Sequence, residues 1–118
     1  ALYLDAKAAL EMAGSTATQM YCFLLVELGK CCSAQGRLLE EMAFYVEARA
    51  TCERLGYTID PAYGGLLRSM GQSHADHGRL QDAMVFYEKA KATFEKAGAT
   101  ATEHYGDLLL AMGRCCRK

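Results

Sequence analysis

The sequence predicts an all-α fold, an α-solenoid of antiparallel helix hairpins with about six helices, and three observations carry that expectation. The chain repeats itself every 42 residues without a gap. Leu28-Gly29 recurs as Met70-Gly71 and Met112-Gly113, Tyr3 as Tyr45 and Tyr87, Ala6 as Ala48 and Ala90, and Tyr21 as Tyr63 and Tyr105. Residues 22–63 aligned on 64–105 share 16 identities in 42, where chance leaves about two or three. Within the repeat, apolar residues recur at spacings of three and four, the period of a helix with one buried face. No segment alternates with a period of two, so no strand is expected.

In chain order, the helices are expected at roughly 2–13, 18–35, 38–55, 61–77, 80–97 and 101–117, with ends uncertain by about two to four residues. The first carries Tyr3 and Ala6 as the second half of a preceding repeat. The third places Leu38, Met42, Tyr45, Ala48 and Cys52 on one stripe. The fifth repeats it with Leu80, Ala83, Met84, Tyr87, Ala90 and Phe94, leaving Gln81, Asp82, Glu88, Lys89, Glu95 and Lys96 for water. Gly36-Arg37 and Gly78-Arg79 punctuate the hairpins, because Gly adopts the left-handed conformation that ends a helix. Gly14, Gly56 and Gly98 mark the second set of boundaries, followed by Thr16, Thr58 and Thr100 and then by Thr18, Asp60 and Thr102. Asp60-Pro61 is the clearest start signal: an oxygen acceptor at the N-cap, then the sole Pro at the first helical position, where no donor is missed. The organisation expected is a single array over 1–118: a half repeat at 1–15, repeats at 16–57 and 58–99, and a half repeat at 100–118.

A chain of 118 residues with 52% apolar and 23% charged residues is long and apolar enough to bury a core. Its formal net charge of −1 gives no footprint for nucleic acid. No apolar run approaches the roughly 18 residues of a membrane span. Ala1 opens no signal-peptide pattern. The six cysteines include two neighbouring pairs, Cys31-Cys32 and Cys115-Cys116, which cannot bridge internally without strain. Cys22 and Cys52 fall on apolar stripes as small hydrophobes. Reduced thiols in a cytoplasmic protein are therefore expected.

Leu67, Met70, Gly71, Gly78, Leu80, Ala83, Tyr87 and Ala90 resemble the tetratricopeptide repeat signature: a large apolar residue, a small one where helices cross closely, then Ala, aromatic and Ala on the second helix. Leu25, Leu28, Gly29, Gly36, Leu38, Tyr45 and Ala48 repeat the resemblance, and Leu109, Met112 and Gly113 begin it again. A 42-residue unit is similar to those of kinesin light chains and of Leu-Gly-Asn-rich polarity adaptors, longer than the common unit of about 34. Two departures stand out. Glu41 occupies the place of the small Ala83, which leaves open how tightly the first hairpin closes. The chain also contains no Asn, so the Leu-Gly-Asn triplet is missing, as is the Lys, Asn and Arg pattern that clamps a C-terminal carboxylate.

The resemblance implies a superhelix whose first helices line a concave groove that binds a peptide segment of a partner protein. Counted from the crossing glycines, the groove residues are Val26, Glu27, Lys30 and Ser33; then Arg68, Ser69, Gln72 and Asp76; then Leu110, Ala111, Arg114 and Arg117. Lys30, Arg68, Arg114, Arg117 and Lys118 outnumber Glu27, Asp76 and Asp107. A modestly basic groove suits an acidic or phosphorylated segment; the competing reading is a solvated face of exposed charges. A second functional class is self-assembly. Leu108, Leu109, Met112 and Cys116 are expected on a face of the last helix that the Leu2-Tyr3-Ala6 helix of another copy would cover, giving a head-to-tail homo-oligomer.

Cys31, Cys32, His74, Cys115 and Cys116 carry zinc-ligand chemistry at one level of the repeat. Equivalent helices in a stack lie roughly 8–10 Å apart, however, and ligands sit roughly 2.0–2.3 Å from zinc. No paired C-x-x-C knuckle accompanies them, so no metal or other cofactor is expected, and His74 is expected to be satisfied locally. Catalysis is not expected either. Asp76 in His74-Ala75-Asp76-His77 cannot face a neighbouring imidazole on a helix, and no phosphate loop, H-E-x-x-H or G-x-S-x-G occurs.

Overall fold

A computed structural model describes residues 2–12, 14, 19–56 and 61–116; the side chains of Leu2, Tyr3, Gln19, Met20 and Pro61 lie outside that description. The described residues form helices and turns with no strand. The helices are α1 (Leu2–Met12), α2 (Gln19–Ala34), α3 (Leu38–Leu55), α4 (Pro61–Asp76), α5 (Leu80–Lys96) and α6 (Glu103–Cys116). Their ends agree with the expected ranges to within two residues. Contacts divide the chain into two compact units, Ala1–Tyr57 and Thr58–Lys118, and the division falls at the predicted repeat boundary.

The helix ends follow from the glycines. Gly36, Gly56, Gly78 and Gly98 all have φ between 69° and 79°, a conformation that costs a residue with a Cβ. At the hairpin turns this lets the Arg37 N–H reach the Cys32 carbonyl, and the Arg79 N–H reach that of His74, each at 2.9 Å. Carbonyls that the helix leaves unpaired are thereby satisfied. Thr102 caps α6: its Oγ1 accepts the Tyr105 N–H at 3.3 Å. Pro61 opens α4 as expected, while Asp60 and Thr18 lie outside the described residues.

In the first unit α2 packs against α1 and α3, burying Tyr21, Leu24, Leu25, Leu28, Cys32, Tyr45, Ala48 and Cys52. Glu41 is buried with them. A methyl at Gly29 would collide with the Tyr45 ring more closely than one at Gly71 would with Tyr87, which is at 2.7 Å. The close crossing is set by Gly against aromatic, and Glu41 is accommodated in the same core. Tyr21 anchors α1, its hydroxyl lying 3.1 Å from Glu11 Oε2 and 2.8 Å from Glu47 Oε2.

In the second unit α4 packs on α5, and both pack on α6. Leu66, Leu67, Met70, Ala83, Tyr87, Ala90, Phe94 and Leu108 fill its core. Tyr105 of α6 meets Phe94 edge-on and bonds Glu95 Oε2 at 3.0 Å. Leu108, expected on the outer face of α6, lies inside with Ala111 and Cys115; the outer stripe retains Leu109, Met112 and Cys116.

Candidate partner-binding face

The two units present different versions of the expected groove residues. On α2, Val26 and Glu27 are half-buried, while Lys30 and Ser33 are exposed. Lys30 Nζ lies 3.6 Å from Glu27 Oε1 one turn earlier, so its charge is partly neutralised within its own helix.

On the second unit, a cleft of about 110 Å³ is lined by Gln72, Ala75 and Asp76 of α4, by Leu80 and Tyr87 of α5, and by Ala111, Arg114 and Cys115 of α6. Residues one helical turn apart share a face, which brings Gln72 and Asp76 together: Gln72 Nε2 donates to Asp76 Oδ1 at 2.8 Å. The other end of the same amide accepts from the Tyr87 hydroxyl at 3.3 Å. Ser69 turns back on its own helix, donating to the Gly65 carbonyl at 3.1 Å, and so is committed locally. Leu110 is exposed. Arg117 lies outside the described residues.

Among the described residues Lys7, Lys30, Arg37, Arg49 and Lys91 each pair with a carboxylate three or four residues away; Arg68 and Arg114 make no such pair, nor do Arg54, Arg79, Lys89 and Lys96. The Nε of Arg68 is buried without a hydrogen-bond partner, although a buried donor normally has one. The Arg68 and Arg114 guanidiniums act on Tyr87. Burial, then Cys115 and Asp76, push its phenol up to about 12, and the two arginines oppose that rise. The recess is therefore lined by one guanidinium without a carboxylate partner, that of Arg114, with an amide and a phenol, and Arg68 lies one turn before Gln72 on α4.

Sequence reasoning named Gln72, Asp76, Ala111 and Arg114 on this recess but not Tyr87 or Cys115. Tyr87 reads as repeat core and is buried, yet it also lines the cleft, which periodicity does not signal. The cysteine and histidine level resolves differently from the expectation. His74 is buried and stacks on Phe86, with centroids 5.2 Å apart and planes at 9°. Its Nδ1 has no partner, so the expected local satisfaction of His74 is corrected: the aromatic stack holds the ring by its faces and offers its nitrogens nothing. His77 Nδ1 lies 2.8 Å from the Ser73 carbonyl, and Asp76 is engaged by Gln72, so Asp76 orients neither imidazole. All six cysteines are free thiols. Among the described residues no group of three His, Cys, Asp or Glu side chains could hold a metal ion, and no helix is long and apolar enough to cross a membrane.

No protein-family model matches the chain, and no curated protein matches it. The tetratricopeptide resemblance accordingly rests on the signature residues of the repeat.

Proposed function

We propose that this chain is a protein-interaction module that binds an acidic peptide segment of a partner protein on the α4/α6 face. The observation that carries the reading is Arg114, a guanidinium without a carboxylate partner on the lining of a recess, with Arg68 one turn before Gln72 on α4. A guanidinium offers a planar fork of donors matched to a carboxylate or phosphate, and an unsatisfied buried donor such as Arg68 Nε gains the most from an incoming acceptor. Gln72 and Tyr87 add polar contacts that would orient the segment. The resemblance to tetratricopeptide repeats points to the same face. Six free thiols suit a reducing compartment such as the cytoplasm. The reading needs no catalytic group and no cofactor.

The test is selection from a random displayed-peptide library against the 118-residue chain, followed by titration of the enriched peptides. Enrichment in Asp, Glu or phosphorylated residues is expected, with affinity lowered tenfold or more by Arg114→Glu and further by Arg68→Glu. These losses correspond to about 1.5–3 kcal/mol for each charge-assisted contact. Enriched peptides without acidic residues, or affinity unchanged in both variants, would remove the reading.

A further inference from the structure

The recess holds a carboxylate as well as a guanidinium. Asp76, the last residue of α4, and Arg114 of α6 line the same cleft, and among the described residues no ion pair joins them. Each therefore keeps bonding capacity for an incoming group. A carboxylate offers about four lone-pair sites, and the Gln72 amide occupies one of them, at 2.8 Å from Oδ1. The guanidinium presents a planar fork of donors.

The Asp76 carboxylate is also held in place. A carboxylate only accepts hydrogen bonds, so Gln72 turns its Nε2 toward Asp76 and its Oε1 toward Tyr87, whose hydroxyl then donates at 3.3 Å. Tyr87 is itself buried, with its ring against Gly71. A relay thus runs from the fixed core of the hairpin, through Gln72, to a carboxylate on the cleft. The crossing of the helices does not require it. Forty-two residues earlier, Gln72 is Lys30 and Asp76 is Ala34, and α2–α3 makes the same Gly–Tyr crossing without the relay.

We infer that the segment recognised at this recess is of mixed charge, with an acidic side chain on Arg114 and, within two residues of it, a Lys or Arg side chain on Asp76. An extended segment places residues i and i+2 on the same side, roughly 6.5 Å apart, so one short stretch presents both charges to one recess. A second carboxylate on the segment would instead meet Asp76 as a like charge, and specificity is set by such repulsions as much as by attractions. The inference rests on the α4/α6 reading above and narrows it: Arg114 requires an acid, and Asp76 rejects a uniformly acidic segment.

The experiment selects one random displayed-peptide library on the wild-type chain and, separately, on Asp76→Asn. The amide keeps an acceptor oxygen for Gln72 and loses the charge, and position 76 is exposed, so the variant should retain the wild-type circular dichroism spectrum. Wild type should enrich peptides with Lys or Arg within two residues of an Asp or Glu, whereas Asp76→Asn should enrich the acidic residues alone. Synthetic peptides from the wild-type pool then complete a double-mutant cycle. Changing their basic residue to Gln should lower affinity for wild type about two- to fivefold, the effect of one partly exposed charge pair, and leave affinity for Asp76→Asn unchanged. Acidic enrichment without basic neighbours, or an equal loss in both proteins when the basic residue is changed to Gln, overturns this inference and leaves acidic recognition standing. Absence of acidic enrichment on both proteins removes the α4/α6 reading itself, and this inference with it.

Discussion

The α2–α3 and α4–α5 hairpins are two answers to one packing problem. Both cross with a tyrosine ring on a glycine, Tyr45 on Gly29 and Tyr87 on Gly71, and both bury an Ala one turn on, Ala48 or Ala90. They differ in how the phenol finds an acceptor. In the second hairpin the acceptor comes from α4, Gln72 Oε1 at 3.3 Å from the Tyr87 hydroxyl. The equivalent residue in the first is Lys30, whose ammonium has three donors and no acceptor. There Glu41, in the place of Ala83, supplies it: its carboxylate is hydrogen-bonded to Tyr45, and after burial it is the chief cause of that phenol's upward pKa shift. The residue that breaks the small-residue pattern thus compensates for a lysine across the hairpin. The comparison teaches that the Gly–Tyr crossing is the fixed part of the repeat, while the polar partner of its hydroxyl is exchangeable.

The largest effect should come from forcing one hairpin's solution onto the other. Ala83→Glu places a carboxylate at a wholly buried position where Tyr87 already has its acceptor, and should cost about 3 kcal/mol or more. Glu41→Ala removes the acceptor of a buried hydroxyl and should cost about 1–3 kcal/mol. Adding Lys30→Gln to Glu41→Ala rebuilds the second hairpin's arrangement in the first and should recover part of that loss. Urea unfolding of the three variants measures all of this. No recovery on adding Lys30→Gln would break the compensation argument.

A smaller effect separates the covered from the uncovered glycine. In Gly71→Ala the new methyl lies 2.7 Å from the Tyr87 ring and 3.2 Å from the Ala83 carbonyl oxygen. Overpacking of that kind costs about 1–3 kcal/mol, enough to outweigh the gain of about 1 kcal/mol in helix propensity. Gly113→Ala meets no such obstacle and should gain up to about 1 kcal/mol at concentrations where the chain is monomeric. The sign should invert between two positions that are identical in the repeat. Equal thermal shifts in the same direction would contradict the close crossing on α4.

These contrasts mark where the sequence was legible. The helices could be read to within two residues because glycine at left-handed positions and a 3.6-residue stripe are local signals, and the 42-residue repeat supplied each of them again. The cleft was only partly legible. Arg68 and Lys30 look alike as groove cations, and their difference depends on a turn-length pairing with Glu27 that Lys30 makes and Arg68 does not. Leu108 sat on the wrong predicted face because residues 108 and 109 lie at the edges of adjoining stripes, and only packing against α4 and α5 decides between them. The role of Glu41 was hidden for a related reason: Tyr45 lies one turn on in the same helix, but the Lys30 for which Glu41 compensates is contributed by another helix, and the spacing between those two carries no mark.

The smallest effect concerns the other polar difference between the hairpins, His74 against Cys32, and it sets opposite pH limits on the two. Burial, then the Arg79 guanidinium, lowers the pKa of His74, with Asp82 opposing and His77 adding to the depression. The folded imidazole therefore binds a proton less readily than the unfolded one. Its contribution is fully present above an unfolded value of about 6.5 and is lost as pH falls below it, until the folded group protonates as well. Cys32 moves the other way. Burial first, then Glu40, raises its thiol, so the folded chain keeps a proton that the unfolded chain releases above roughly pH 8.5, and stability falls on the alkaline side. Each slope is bounded by one proton, at most about 1.4 kcal/mol for each pH unit of its window. Amide hydrogen exchange, corrected for intrinsic rates, should show α4–α5 losing protection between pH 7 and 5 relative to α2–α3, and His74→Gln should flatten that loss. An equal loss in both hairpins would assign the acid limit to groups that the two share, and a slope untouched by His74→Gln would remove His74 as its cause.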